Sequence, residues 1–237
     1  MSQERAARAE AFAQQILETC RPFLSKPIAQ LDVLDVGCGY GHTAAALAQS
    51  CHSVLGIEPA ETLAQAAQEL AANCPRLSIL QSSVYDLQPR ADFDLVVLDN
   101  VFEHLPDQLR ALEIVSGCLR PGGVLYMVMP NKLWPIEVHY RLPFLSYLPL
   151  SWANAYLRLT GRGTDYRDAS YAPTYWRLRR LLDCRPELRY HFVLPANLSW
   201  TTAGNVWHYR LGVALLRRCP WLWAVSKAFL VVAVKHA

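Results

Sequence analysis

The chain has 237 residues, long enough for one sizeable core, and its 52% apolar and 18% charged residues exclude a disordered or low-complexity protein. Its net charge of +3 is too small to mark a nucleic-acid binder by bulk charge, and its seven cysteines are scattered. They form no C-x-x-C pair and no Cys/His spacing fit for zinc, so a reducing compartment and no metal site are expected.

The opening residues lead into a mixed polar helix over 4–20, with Ala7, Ala11, Phe12, Ile16 and Leu17 at helical spacing, rather than into the apolar core of a secretion signal. A regular alternation follows: strand 31–36, helix 42–50, strand 53–57, helix 61–72, strand 77–81, strand 94–99, helix 107–118 and strand 123–129. Strands alternating with helices predict parallel pairing with right-handed crossovers, and place a ligand at the carboxyl ends of the strands. After Asn131 the pattern breaks. Prolines 135, 143, 149 and 173 punctuate short elements, and 131–171 reads as an aromatic, helical insertion roofing the site. Helix 172–183, strand 188–194, an amphipathic helix over 203–218 and strand 228–235 then complete the sheet. The greasy tail from Trp221 to Val234 is about fifteen residues with Lys227 inside it, short of the roughly 20 needed to span a bilayer.

The most informative stretch is Leu34-Asp35-Val36-Gly37-Cys38-Gly39-Tyr40-Gly41 with Glu58 ending the next apolar run. Glycines 37, 39 and 41 let the backbone turn and approach a ligand where a Cβ would collide. The first amides of the following helix, near Gly41, His42 and Thr43, favour a carboxylate or phosphate. Glu58 can take both hydroxyls of a ribose. The unit is a nucleoside site, and His42 at the third glycine of G-x-G-x-x-G argues against a dinucleotide.

With Asp35 leading the loop, this motif resembles the first motif of the class I S-adenosylmethionine-dependent methyltransferases. Phe93 to Asn100, Val101-Phe102-Glu103-His104-Leu105 and Leu119-Arg120-Pro121-Gly122-Gly123 follow in that family's order, and the resemblance is strong over 31–130. It implies an α/β fold: a Rossmann-like, doubly wound, mostly parallel seven-stranded sheet with an antiparallel last strand. The whole chain is expected to form one domain, with a cap helix in 1–30, a cofactor core in 31–130, the insertion in 131–171 and sheet completion in 172–237. It further implies an enzyme using S-adenosylmethionine, bound through Asp35, Gly37, Gly39, Gly41, Glu58, Ser83, Val84 and Asp99. Ser83 departs from the pattern, because the family usually places an acid near this position to accept from the adenine amino group; Asp86 lies three residues later. If the acceptor is a hydroxyl its proton must leave, and His104 and His139 are the candidate bases, with Glu137 and Tyr140 weaker ones.

Charge is unevenly spread. Residues 1–130 carry 8 basic against 15 acidic side chains, residues 131–237 carry 15 against 5, and all seven tryptophans lie in the second part. This composition suits a hydrophobic or anionic small molecule, a lipid or a lipid-linked glycan as acceptor of a methyl group at oxygen or nitrogen. The expected setting is cytoplasmic, with peripheral membrane contact through the basic aromatic half. An RNA acceptor ranks lower, since the arginines are interspersed with Leu, Trp and Tyr; a non-catalytic membrane-associated scaffold and an NAD-linked oxidoreductase rank lower still.

Overall fold

The structure is a computed structural model that describes residues 2–197 and 207–236. Seven strands form one sheet: β1 (Asp32–Val36), β2 (Ser53–Glu58), β3 (Leu77–Gln81), β4 (Phe93–Asp99), β5 (Leu119–Pro130), β6 (Leu188–Phe192) and β7 (Ala228–Lys235). Their spatial order is β3-β2-β1-β4-β5-β7-β6, and β7 runs antiparallel to both neighbours while the other pairs are parallel. The expected Rossmann-like, doubly wound sheet with an antiparallel last strand is therefore present.

Side chains alternate across this sheet with period two, which sorts the core into two layers. Leu34, Val36, Val96, Leu98, Leu125 and Met127 pack toward α4 (Gln108–Cys118) and α6 (Tyr175–Asp183). Val33, Val54, Leu95, Val97, Val124 and Tyr126 pack toward α1 (Ser2–Cys20) and α2 (His42–Ser50). Helix α3 (Glu61–Ala71) buries Ala64 and Ala67 at the β2–β3 edge. Complete burial of a leucine or valine is worth about 1.5–3 kcal/mol, so the double layer is the main stabilising feature.

Element boundaries depart from the sequence reading in a few places. The Arg120-Pro121-Gly122-Gly123 turn expected before the fifth strand is a bulge inside it: Phe93 pairs with Leu119 and Leu95 with Val124, so extra residues of β5 loop out, with Gly122 at φ 77. Helix α6 starts at Tyr175 rather than at 172, because Pro173 and the Thr174 cap, whose hydroxyl accepts from the Arg177 amide, fix its first turn. The amphipathic helix expected over 203–218 is seen as α7 (Trp207–Arg218); residues 203–206 lie outside the described residues.

The insertion after β5 has its own small core of Leu142, Leu145, Ala153, Leu157, Tyr166 and Ala169 around α5 (Leu150–Leu159). Buried Asn131 ties its base to the chain end: its side-chain amide donates to the carbonyls of Ala224 (3.0 Å) and Ser226 (2.9 Å), while its oxygen accepts from the Leu133 amide (3.0 Å). Gln108 ties its far end by donating to the carbonyls of Phe102 (2.9 Å) and Tyr171 (2.8 Å). Among the described residues no helix is long and apolar enough to cross a membrane.

At the end of the sheet away from these loops, Asp94 collects Lys26 Nζ (2.7 Å), the Asp32 amide (3.1 Å) and Arg120 Nη1 (2.8 Å). Burial alone would raise its pKa, but the Lys26, Asp32 and Arg120 donors outweigh it and hold the carboxyl below its usual range. The stabilisation is thus present above the unfolded carboxyl pKa, about 3.9, and fades as pH falls through the lower folded value. Asp94→Ala is expected to cost about 1.5–3 kcal/mol in urea unfolding at neutral pH, with the difference from the parent shrinking in acid.

Candidate active site

Three acidic side chains converge where β1, β2 and β4 end. Register pairs Asp35 with Gly56 of β2 and with Val97 of β4, and Glu58 and Asp99 each lie two residues beyond those partners. Period-two alternation puts all three carboxylates on the sheet face covered by α1. Asp35 and Glu58 are buried. Burial, then the charges of Asp99 and Glu58, push the Asp35 carboxyl up to about 8, and burial raises Asp99 to about 6 against the opposing donation from the Asn100 amide. A buried carboxyl beside two further carboxylates favours a positive charge at this place.

The glycine bend closes around the same acids. Gly37, Gly39 and Gly41 have φ of 69, 55 and 76. A Cβ on Gly37 would lie 2.6 Å from Val101 Cγ2, so only glycine lets the strand end pass the loop after β4. A Cβ on Gly39 would meet no atom within 4 Å; it would project into open space. The absence of a side chain there leaves the Gly39 backbone open to a ligand. Glu58 holds the bend in place, accepting from the amides of Gly39 (3.0 Å) and Ala60 (3.0 Å), and one carboxylate lone pair on each oxygen remains for ribose hydroxyls. An open bend, a ribose-type acid and a cation-seeking acid pair fit an adenosyl sulfonium. Ser83 caps the 3₁₀ turn Val84–Asp86 by accepting from the Tyr85 amide (3.3 Å), which leaves its hydroxyl one lone pair and its hydrogen, and Val84 is buried beside it.

A channel enters from the other side. One cavity of about 370 Å³ is lined by Phe12 and Ile16 of α1, by Asp99 and Asn100, and by Tyr126 and Val128. A second, of about 710 Å³, lies between Trp134–Arg141 of the insertion and Tyr209–Lys227, and shares Val138, Tyr209, Val213, Leu216, Ser226 and Lys227 with the first. Together they form a mainly apolar passage to the end of β4, between the roofing insertion and α7. Asn100 turns the chain at this point with φ 55, a conformation asparagine tolerates.

The structure brings the two candidate histidines together: the rings of His104 and His139 meet edge to face at 5.2 Å although they are far apart in sequence. His139 Nδ1 lies 2.7 Å from Glu137 Oε1, whose charge makes the ring nitrogen the donor and leaves Nε2 as the lone-pair nitrogen. Glu137 is buried, its other oxygen taken by the Tyr140 amide at 2.7 Å, so the pair is rigid. The hydrogen bond to Glu137 raises the His139 pKa, opposed by burial. His104 Nδ1 faces Asp168, 3.2 Å from its carbonyl and 3.1 Å from Oδ2. Tyr140 instead donates to the Asp165 carbonyl at 3.1 Å.

Sequence reasoning did not single out Glu103. It is wholly buried, neither carboxylate oxygen has a hydrogen-bond partner among the described residues, and burial raises its carboxyl to about 7. Glu103, His104 and His139 each bring one potential ligand atom within 4.8 Å of the others, a grouping that Cys/His spacing along the chain does not reveal. The only signal in the sequence was the adjacency of Glu103 and His104.

Residues 34–127 match the family model described as a methyltransferase domain. The chain is 34% identical over 103 residues to a protein of Mycobacterium tuberculosis named a probable S-adenosylmethionine-dependent methyltransferase, covering 43% of this chain and 36% of that one. It therefore spans little more than a third of that relative. It is 29% identical over 170 residues to a ubiquinone biosynthesis O-methyltransferase of Haemophilus ducreyi, covering 68% of each. Among solved structures, the plantazolicin methyltransferase BpumL, in complex with SAH and a monoazolic desmethylPZN analogue, superimposes over 98% of this chain and 85% of its own with a TM-score of 0.60 at 18% identity. The YcgJ protein of Bacillus subtilis covers 94% of this chain and 99% of its own, with a TM-score of 0.58 at 16% identity. These two likenesses concern the fold.

The acid cluster predicts a pH-linked affinity. A cation beside Asp35 and Asp99 favours their ionised forms, so binding near neutral pH releases protons. Calorimetry in buffers of different ionisation enthalpy should show net proton release with S-adenosylmethionine, and affinity should rise from about pH 6 to about pH 8, the range of the two raised carboxyls. Without the cation the sign reverses: a carboxyl raised in the folded state makes the free protein less stable as pH climbs over that range. In Gly39→Arg the fold should persist by circular dichroism, while cofactor binding should fall by at least about 100-fold.

Proposed function

We propose that the chain, whose residues 34–127 match a methyltransferase-domain model, is a class I S-adenosylmethionine-dependent methyltransferase that transfers a methyl group to an oxygen, or as second choice a nitrogen, of a hydrophobic acceptor such as a lipid or lipid-linked molecule. The observation that carries this reading is the apolar passage between the insertion and α7, which ends at Asp99 and Asn100 beside the cofactor bend. Its mainly greasy wall carries Arg141 and Lys227 against one acid, Glu137, whose carboxylate is taken by His139 and the Tyr140 amide, and this suits an acceptor with an anionic end.

S-adenosylmethionine supplies a methyl group already activated on a sulfonium, so the protein's main task is alignment. Holding donor and acceptor in near-attack geometry can remove roughly 7–11 kcal/mol of barrier. Asp35 and Asp99 provide negative potential for the cation, Glu58 accepts from the ribose, and the bare backbone at Gly39 permits close approach. His139 follows Val138, which lines both cavities, and is the base we assign: the acceptor's hydroxyl proton passes to its Nε2. Glu137 then stabilises the imidazolium through Nδ1, as a buried carboxylate does for any base histidine it orients. His104, edge-on to His139 and held by Asp168, fixes the ring's position.

Two relatives are named for O-methyl transfer in ubiquinone biosynthesis, which agrees with an oxygen acceptor on a greasy molecule. The rest of the support is the chemistry of the channel itself.

His139→Ala should lower turnover by about 10²–10⁴-fold while leaving cofactor affinity within a factor of about two. The rate should rise with pH as His139 loses its proton. Since Glu137 raises that pKa, Glu137→Gln should move the rising limb to lower pH and lower the plateau. Full activity in His139→Ala, with the pH profile unchanged, would remove the base from the scheme. Screening single-turnover methyl transfer against long-chain phenols and polyprenyl-linked acceptors, beside an unstructured RNA, should give product with the apolar set.

A further inference from the structure

The last fifty residues have an unusual charge pattern. From Leu188 to Ala237 there is no aspartate or glutamate, while Arg189, Arg210, Arg217, Arg218, Lys227 and Lys235 are all basic. An ordinary solvated helix face carries both signs.

Helix α7 shows where this asymmetry points. Its inner face supplies Tyr209, Gly212, Val213 and Leu216 to the channel walls. Its outer face is not polar: Trp207 (74% exposed), Leu211 (51%) and Leu215 (45%) recur every fourth residue, forming one stripe along the helix. Arg210, Arg217 and Arg218, all exposed, border that stripe. The following 3₁₀ stretch Pro220–Val225 adds Trp221 (71%) and Val225 (56%). Leu215 and Val225, together with exposed Ile136 across the opening, belong to both the surface patch and the wall of the 710 Å³ cavity. The greasy surface is therefore the rim of the channel.

We infer that this face docks on an anionic phospholipid bilayer, with Trp207, Leu211, Leu215, Trp221 and Val225 entering the headgroup region and the arginines pairing with lipid phosphates. Charge decides for this occupant. A face with apolar side chains outward, arginines along it and no acid in its segment repels a second copy of itself and complements a negative surface. Tryptophans fit the interface between headgroup and acyl chain. The channel mouth then opens against the membrane, so an apolar acceptor reaches the site without crossing water. The docking rests on the same cavity as the acceptor reading above, but neither cofactor nor acceptor is needed to observe it.

The test is co-sedimentation of the whole protein with phosphatidylcholine vesicles, with and without phosphatidylglycerol, in the absence of cofactor and acceptor. Binding should require phosphatidylglycerol, weaken as salt rises, and be accompanied by a blue shift of tryptophan fluorescence. Leu211→Glu and Trp221→Glu should each weaken partitioning by about tenfold. Arg217→Glu and Arg218→Glu should each cost at least about fivefold at low salt. All four are surface changes, and unchanged circular dichroism and S-adenosylmethionine affinity would confirm an intact fold. The inference fails if vesicles do not bind at low salt, or if these variants bind as the parent does. It also fails if light scattering shows the face buried in a dimer that the same substitutions dissolve, or if RNA binds tightly through the same residues while vesicles do not. Vesicle failure would leave methyl transfer untouched, and loss of cofactor binding in the parent would leave docking untouched.

Discussion

Burial of the Asp35 carboxyl beside Asp99 and Glu58 is the constraint on which the site depends. Glu58 and Asp99 close parallel strands and Asp35 is the last residue but one of a third, and the strand register sets all three on one face, the one α1 covers. The protein tolerates this by keeping Asp35 protonated at neutral pH and by spending Glu58 on the amides of Gly39 and Ala60. A positive ligand placed beside Asp35 favours its ionised form and so takes the place of that proton. The glycine bend supplies the complementary requirement, since it brings backbone rather than side chain to the same place. Charge and space thus select one ligand class together.

The second half of the chain answers a different problem. An apolar passage lined by an insertion and a helix needs walls that do not collapse on each other. Asn131 and Gln108, both buried, fasten the two ends of the insertion through backbone carbonyls rather than through apolar packing. The insertion's small separate core then keeps Glu137 and His139 at a fixed height over the loop after β4. Removing that support would cost alignment before it cost global stability, because the main sheet buries its own two layers without it.

Much of this architecture was legible along the chain, for reasons that particular elements make clear. The parallel strands are short apolar runs bounded by turn residues, and their spacing by helices leaves one topology open; the glycine motif needs only local backbone sterics. The boundaries that moved are those where a local cue was read too literally. Gly122 and Gly123 look like a turn before the fifth strand, but pairing with β4 on both sides makes them a bulge, and the start of α6 was set by Thr174 rather than by the apolar pattern. Glu103 escaped because an acid beside a histidine on a short loop has no periodic signature, and its burial comes from the insertion folding down.

The sequence by itself determined the sheet, the cofactor bend and the chemistry of the residues near it, because those depend on contacts within about one β-α-β unit and on period-two alternation. It also held the imbalance of charge and tryptophan between the halves. The tertiary structure alone decided that His139 meets His104, and that the stripe on α7 frames the channel mouth. Those pairings join segments separated by dozens of residues, and no local propensity or spacing rule fixes the distance between them. Only the packing of the insertion against the sheet does.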